Sequence, residues 1–151
     1  MLHVALWEPE IPPNTGNIAR LCAATGAILH LVGRLGFRLD DRHLRRAGLD
    51  YWPHVDIRQH ASLDELASAL PDTRVIPVSS KVKRSYTTAR FRAGDCLLFG
   101  SESRGLPPTV LTRHADCAVT IPMPGGHVRS LNLATAVAIV LYEALRQLHD
   151  W

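Results

Sequence analysis

The chain has 151 residues, of which 46% are hydrophobic and 21% charged, and a formal net charge of +3. That length lets a single domain, residues 1–151, bury its own core, and the composition is ordinary for a globular protein. No apolar run reaches bilayer length and no basic-then-apolar leader opens the chain, so a cytoplasmic protein without a membrane partner is expected.

Predicted elements alternate along the chain. A Val/Leu-rich strand over residues 2–7 leads to a helix over 16–25, with Asn14 or Thr15 as its cap and Gly26 as its stop. Ile18, Leu21, Cys22 and Thr25 form the inward face of that helix, while Asn17 and Arg20, three apart, share an outward one. A strand over 28–32, a helix over 41–47 and a strand over 55–58 follow. Next come a helix over 63–70, strands over 74–78 and 96–99, a helix over 108–114 and a sixth strand over 118–121. Strand–helix alternation at this spacing predicts an α/β protein, a mostly parallel sheet covered by helices on both faces.

The final helix, over 131–148, is apolar on more than one stripe: Leu133, Ala134, Val137, Ile139, Val140, Leu141, Ala144, Leu145 and Leu148. A helix apolar around most of its circumference must be buried around most of it. One sheet face does not readily cover it, so a homodimer packed through this helix is expected.

The chemistry concentrates in two glycine-rich turns that each end a strand-like run. The first is Leu97-Leu98-Phe99-Gly100-Ser101-Glu102-Ser103-Arg104-Gly105, and the second is Ile121-Pro122-Met123-Pro124-Gly125-Gly126-His127-Val128-Arg129-Ser130-Leu131-Asn132. Loops leaving strand ends in an open α/β sheet are where small ligands bind. Neither GxGxxG nor GxxxxGK occurs, which argues against dinucleotide binding and P-loop phosphoryl transfer. Ser101 stands where a nucleophile elbow needs glycine, which argues against an acyl-transfer hydrolase. The eight histidines never fall at metal-ligand spacing, so no metal is assigned. Cys22, Cys96 and Cys117 read as reduced thiols. Two basic clusters, Arg34, Arg38, Arg42, Arg45 and Arg46, then Lys81, Lys83, Arg84, Arg90 and Arg92, suit either a solvated face or phosphate contacts.

These turns resemble those of the SPOUT class of knotted RNA methyltransferases. Glu8-Pro9-Glu10-Ile11-Pro12-Pro13-Asn14-Thr15-Gly16-Asn17-Ile18-Ala19-Arg20 and Arg45-Arg46-Ala47-Gly48-Leu49-Asp50-Tyr51 are similar to stretches of its small TrmL (YibK) group. The resemblance implies a C-terminal trefoil knot, with the chain after Ile121 threaded through the loop that leads to Gly100. It implies methyl transfer from S-adenosylmethionine to the ribose 2′-hydroxyl of the wobble pyrimidine, position 34, of tRNA, leucine tRNAs among them. A knotted RNA-binding protein without catalysis, and a methyltransferase of another RNA such as rRNA, are the alternatives. Val78, Ser79, Gly100, Gly105, Ile121, Met123, Ser130 and Leu131, at these strand ends and turns, are the candidates to hold the cofactor, and by the same resemblance Val78, Gly100, Ile121 and Ser130 match the family's cofactor contacts. Arg20, Ser130, Asn132 and Glu102 are the catalytic candidates, and Asn17, Arg45, Arg46 and Arg129 the RNA contacts. Guanidinium stays protonated, so Arg20 is expected to grip a phosphate and stabilise the developing alkoxide rather than act as a base. Glu102 either pairs with Arg104 or faces the substrate, and Asn132 either caps the last helix or positions the ribose. Packing is the default role of Tyr142.

Overall fold

The computed structural model describes residues 1–48 and 51–151. Leu49 and Asp50 of the Arg45–Tyr51 stretch lie outside the described residues. Five strands, β1 (His3–Trp7), β2 (Ile28–Val32), β3 (Ile57–His60), β4 (Val75–Val78) and β5 (Cys96–Phe99), form one sheet in the order β3-β2-β1-β5-β4. Every neighbouring pair is parallel. Parallel strands covered on both faces read as continuous apolar runs. Accordingly all of β2 and all of β5 are buried.

Five helices supply the cover: α1 (Pro12–Thr25), α2 (Arg42–Gly48), α3 (Leu63–Ala69), α4 (Pro108–Arg113) and α5 (Leu133–His149). Alternate strand residues feed two cores. Val4, Leu6, Leu29, Leu31, Leu97 and Phe99 pack with Ile18 and Cys22 of α1 and with Val137, Val140 and Leu141 of α5. Ala5, Val32, Cys96 and Leu98 pack on the opposite face with Leu66 of α3 and Leu106, flanked by Val110 and Leu111 of α4. Phe99 is only 2% exposed, so truncating it to alanine removes about 3–5 kcal/mol. Burial raises the thiol pKa of Cys22 and of Cys96 to about 12, which leaves both inert.

Several boundaries differ from the sequence reading, for physical reasons. α1 starts at Pro12 rather than Gly16, with Pro12 and Pro13 in the first turn, where a missing N–H removes no helical bond. Asn14 and Thr15 are therefore buried inside the helix and do not cap it. β3 begins two residues late because Val55 closes a 3₁₀ turn over Trp52–His54. The sixth strand is not formed. Val119 bridges Val78, while Thr120 bridges Ser85, a different stretch of chain, and Pro122 has no N–H to extend the ladder.

β1 and β5, far apart in the chain, sit side by side, and the helices that follow them, α1 and α4, cover opposite faces of the sheet. Carboxyl ends of strands at such a switch point leave a crevice between diverging connections. There Glu8–Asn14, Gly100–Leu106 and Thr120–Leu133 meet.

α5 buries one stripe, Leu133, Val137, Val140, Leu141, Ala144 and Leu145. Ala134, Ala138, Ile139 and Leu148 stay partly open, and Tyr142 is 44% exposed. No helix among the described residues is long and apolar enough to cross a membrane.

Candidate active site

The crevice is a cavity of about 480 Å³, within the usual range for small-ligand sites. Val78 and Ser79 from the end of β4, Gly100 and Gly105 from the turn after β5, and Ile121, Met123, Ser130 and Leu131 from the loop before α5 all line it. These are the eight residues expected at a cofactor, drawn from three separated segments. Arg129, Glu102 and Asn132 line the same cavity.

Gly100 is required by its own turn. A Cβ there would lie 2.1 Å from the carbonyl carbon of Gly105 and 2.4 Å from the nitrogen of Leu106. Only without it can the chain fold back so that the Gly105 N–H donates to the Ser101 carbonyl at 2.9 Å.

Hydrogen bonds tie the start of α1, the turn after β5 and the loop before α5 together. Glu102 accepts from the backbone N–H groups of Glu10 at 2.8 Å and Ile11 at 2.9 Å. It also accepts from Asn14 Nδ2 at 3.2 Å. Ile11 is the N-cap of α1 and has no capping bond of its own, so a carboxylate 91 residues away neutralises the positive end of that helix. Asn132 donates through Nδ2 to Asn14 Oδ1 at 3.0 Å and accepts through Oδ1 from the Thr135 N–H at 3.2 Å, which caps α5. In parallel, the Ser103 N–H and hydroxyl donate to the Glu10 carboxylate, and those bonds hold its pKa below the usual carboxylate range. Arg104 pairs with Glu8 at 3.0 Å, with its guanidinium 5.1 Å from the Trp7 ring centre, rather than with Glu102.

The donor set of the cavity suits a nucleoside-bearing ligand. Among the described residues, the backbone N–H groups of Ile121, Met123 and Leu131 have no protein acceptor. They stand beside the apolar side chains of Val78, Leu106, Ile121 and Leu131, which can sandwich an adenine, and beside the hydroxyl of Ser130.

The chain matches the model of the SpoU rRNA Methylase family over residues 1–142. It belongs to that family. A tRNA (cytidine(34)-2'-O)-methyltransferase of Aeromonas hydrophila is 46% identical over 149 residues, covering 98% of this chain and 95% of the relative. A solved structure described as giving structural insights into the 2-OH methylation of C/U34 on tRNA superposes with a TM-score of 0.95 at 55% identity, covering 100% of this chain and 98% of the other. The SpoU methyltransferase AviRb of Streptomyces viridochromogenes, solved in complex with the cofactor AdoMet, gives 0.89 at 26% identity, covering all of this chain and 62% of that one. The parallel α/β sheet described above is the knotted SPOUT fold of this SpoU methylase.

Not every expected site residue meets the cavity. Arg20 and Asn17 are exposed on α1, outside its lining. The Arg20 guanidinium lies 4.9 Å from the centre of the Tyr51 ring. Arg45, on α2, lies 5.8 Å over Trp52, and Arg46 beside it is exposed. The sequence reading missed Lys81, Thr120 and Leu106 as lining residues and Asn14 as the link between two motifs. The Pro12-Pro13 pair was the available signal for Asn14, because it moves the helix start upstream and turns that side chain inward.

Proposed function

We propose that this chain transfers the methyl group of S-adenosylmethionine to the ribose 2′-hydroxyl of the pyrimidine at position 34 of tRNA. One observation carries the reading: eight residues from three separated segments line one cavity with free backbone donors and apolar walls, in a chain nearly half identical to such an enzyme along almost its whole length. Bound there, S-adenosylmethionine would supply a sulfonium methyl whose carbon an oxygen nucleophile can attack, the sulfur leaving as a neutral thioether.

The protein contributes position more than covalent chemistry. Val78, Ser79, Gly100, Gly105, Ile121, Met123, Ser130 and Leu131 bind and orient the cofactor. Glu102 acts as a positioning residue by fixing the start of α1 against the Gly100 turn. Asn132 fixes the start of α5 next to Ser130. Arg20 grips a backbone phosphate and stabilises the alkoxide as the 2′-hydroxyl loses its proton, with Asn17, Arg45, Arg46 and Arg129 holding the RNA.

Arg20 stands outside the cavity of its own chain, and α5 leaves Ile139 and Tyr142 partly uncovered. Both observations support a homodimer through α5 in which Arg20 of one subunit serves the cavity of the other.

The test is methylation of unmodified tRNA by purified protein, with the product digested and mapped by mass spectrometry. Methylated ribose at position 34 is the expected result. No transfer to any tRNA, despite calorimetric binding of S-adenosylmethionine, would leave the non-catalytic RNA-binding alternative. Transfer confined to ribosomal RNA would correct the substrate.

A further inference from the structure

We infer that Tyr51 is the positioning residue for Arg20, an aromatic shelf that holds the guanidinium flat and aims its N–H edge at the RNA sugar–phosphate backbone. This rests on the methyltransferase reading above and adds to it a residue with no other assigned role.

The argument begins with an exposed arginine. Free in solvent, its four-bond stem samples many rotamers, and a catalytic guanidinium so placed is aimed only part of the time. Here its carbon lies 4.9 Å from the Tyr51 ring centre, within the distance at which cation and π-face attract. Stacking uses the face of the guanidinium and leaves its in-plane N–H donors unspent. Those donors are what a phosphate or an alkoxide accepts, two at a time.

The shelf itself is anchored. Tyr51 is half-buried, and its carbonyl accepts from the His54 N–H at 2.9 Å in the 3₁₀ turn that follows. Its neighbour Trp52 packs against the main core. That neighbour repeats the arrangement, with the Arg45 guanidinium 5.8 Å over its ring. Two consecutive aromatic residues thus carry two arginines from two different helices. The helices are held close: a Cβ on Gly16 of α1 would lie 2.4 Å from Cβ of Ala47 on α2. Two guanidiniums held over neighbouring aromatic rings match the repeating phosphates of a nucleic acid strand better than they match a single small anion.

A tyrosine that positions acts only through the arginine it holds, and a double-mutant cycle exposes this. Tyr51→Leu, Tyr51→Phe, Arg20→Ala and Tyr51→Leu/Arg20→Ala are compared in the full-length protein. Four readouts are taken: kcat and KM for tRNA methylation, tRNA binding, S-adenosylmethionine binding by calorimetry, and the melting temperature.

Tyr51→Leu is expected to lower kcat/KM for tRNA about tenfold. Tyr51→Phe, which keeps the ring, stays within about twofold of the parent. In the Arg20→Ala background Tyr51→Leu costs nothing further, and S-adenosylmethionine affinity is unchanged in every variant. Full activity of Tyr51→Leu, or an equal loss with and without Arg20, overturns the inference. Should Tyr51→Leu melt early, Arg20→Lys reads the same question, since it keeps the charge and loses the flat stack; parental activity in that variant is an overturning result. Should the parent methylate no tRNA, the methyl-transfer reading fails on its own, and the same cycle read in tRNA binding still decides the role of Tyr51.

Discussion

Acidification should destabilise this protein through three histidines that cross the sheet. His3, His30 and His60 stand on β1, β2 and β3, and both ring nitrogens of His30 are engaged: Nε2 with His3 Nδ1 at 2.9 Å and Nδ1 with His60 Nε2 at 2.9 Å. His30 is fully buried. A neutral imidazole has one donor and one acceptor nitrogen, which suits a position in the middle of such a chain. A charged His30 would be desolvated and flanked by two other imidazoles, and burial foremost lowers its pKa from 6.5 to about 4. Burial lowers His3 and His60 as well.

The sign follows from which state takes up the proton. Between pH 6.5 and 4 the unfolded chain binds a proton at His30 that the folded chain refuses. Stability is therefore complete above pH 6.5 and falls as the pH drops toward 4. The full gap corresponds to about 3 kcal/mol, and about 2 kcal/mol of it is lost by pH 5, before most carboxylates titrate. Urea unfolding at intervals from pH 7.5 to 5, on the parent and on His30→Leu, measures the slope directly. The parent should lose stability steeply across this window, and the variant, whatever its absolute stability, should have a much flatter profile. Identical slopes, or a parent that gains stability toward pH 5, would refute the argument.

Three further outcomes are expected. Glu102→Ala leaves three donors at the start of α1 without their acceptor and should destabilise the protein by about 2 kcal/mol, a fall of roughly 5 °C in melting temperature by calorimetry. An unchanged melting temperature would mean that solvent replaces the carboxylate freely. Gly100→Ala forces a methyl against the Gly105 backbone and should weaken S-adenosylmethionine binding at least about tenfold, read by isothermal titration. Wild-type affinity there would show that the turn shifts without cost to the cavity. Mixing Arg20→Ala with Ser130→Ala subunits should restore part of the methylation that each lacks alone; verified heterodimers without activity would place both residues of a working site in one chain.

The local elements were legible wherever one physical signal dominated. Ile28–Val32 and Cys96–Phe99 are runs with no polar break other than His30, and strands buried on both faces carry just that pattern. The apolar spacing of α5 likewise announced its one buried stripe, although its other apolar residues, expected to be covered too, stay partly open in the single chain. Sequence also placed the eight cavity residues, because they follow strand ends and two glycine-rich turns, and loops at those ends converge whenever the sheet is parallel.

What the chain order could not reveal was any contact whose partner lies far along it. Capping rules pointed to Asn14 or Thr15 because they weigh only neighbours, whereas the group that satisfies the start of α1 is Glu102, brought there by the adjacency of β1 and β5. The run at Ala118–Ile121 had strand composition but found a different partner at each of its two bridges, so no ladder formed. Arg20 read as one more catalytic neighbour of the cavity, yet the folded chain leaves it outside the cavity lining, over Tyr51. Periodicity and composition fix which residues turn inward, since that depends on spacing of a few residues; which inward or outward groups then meet depends on how the strands are ordered, and that is decided only when the whole sheet closes.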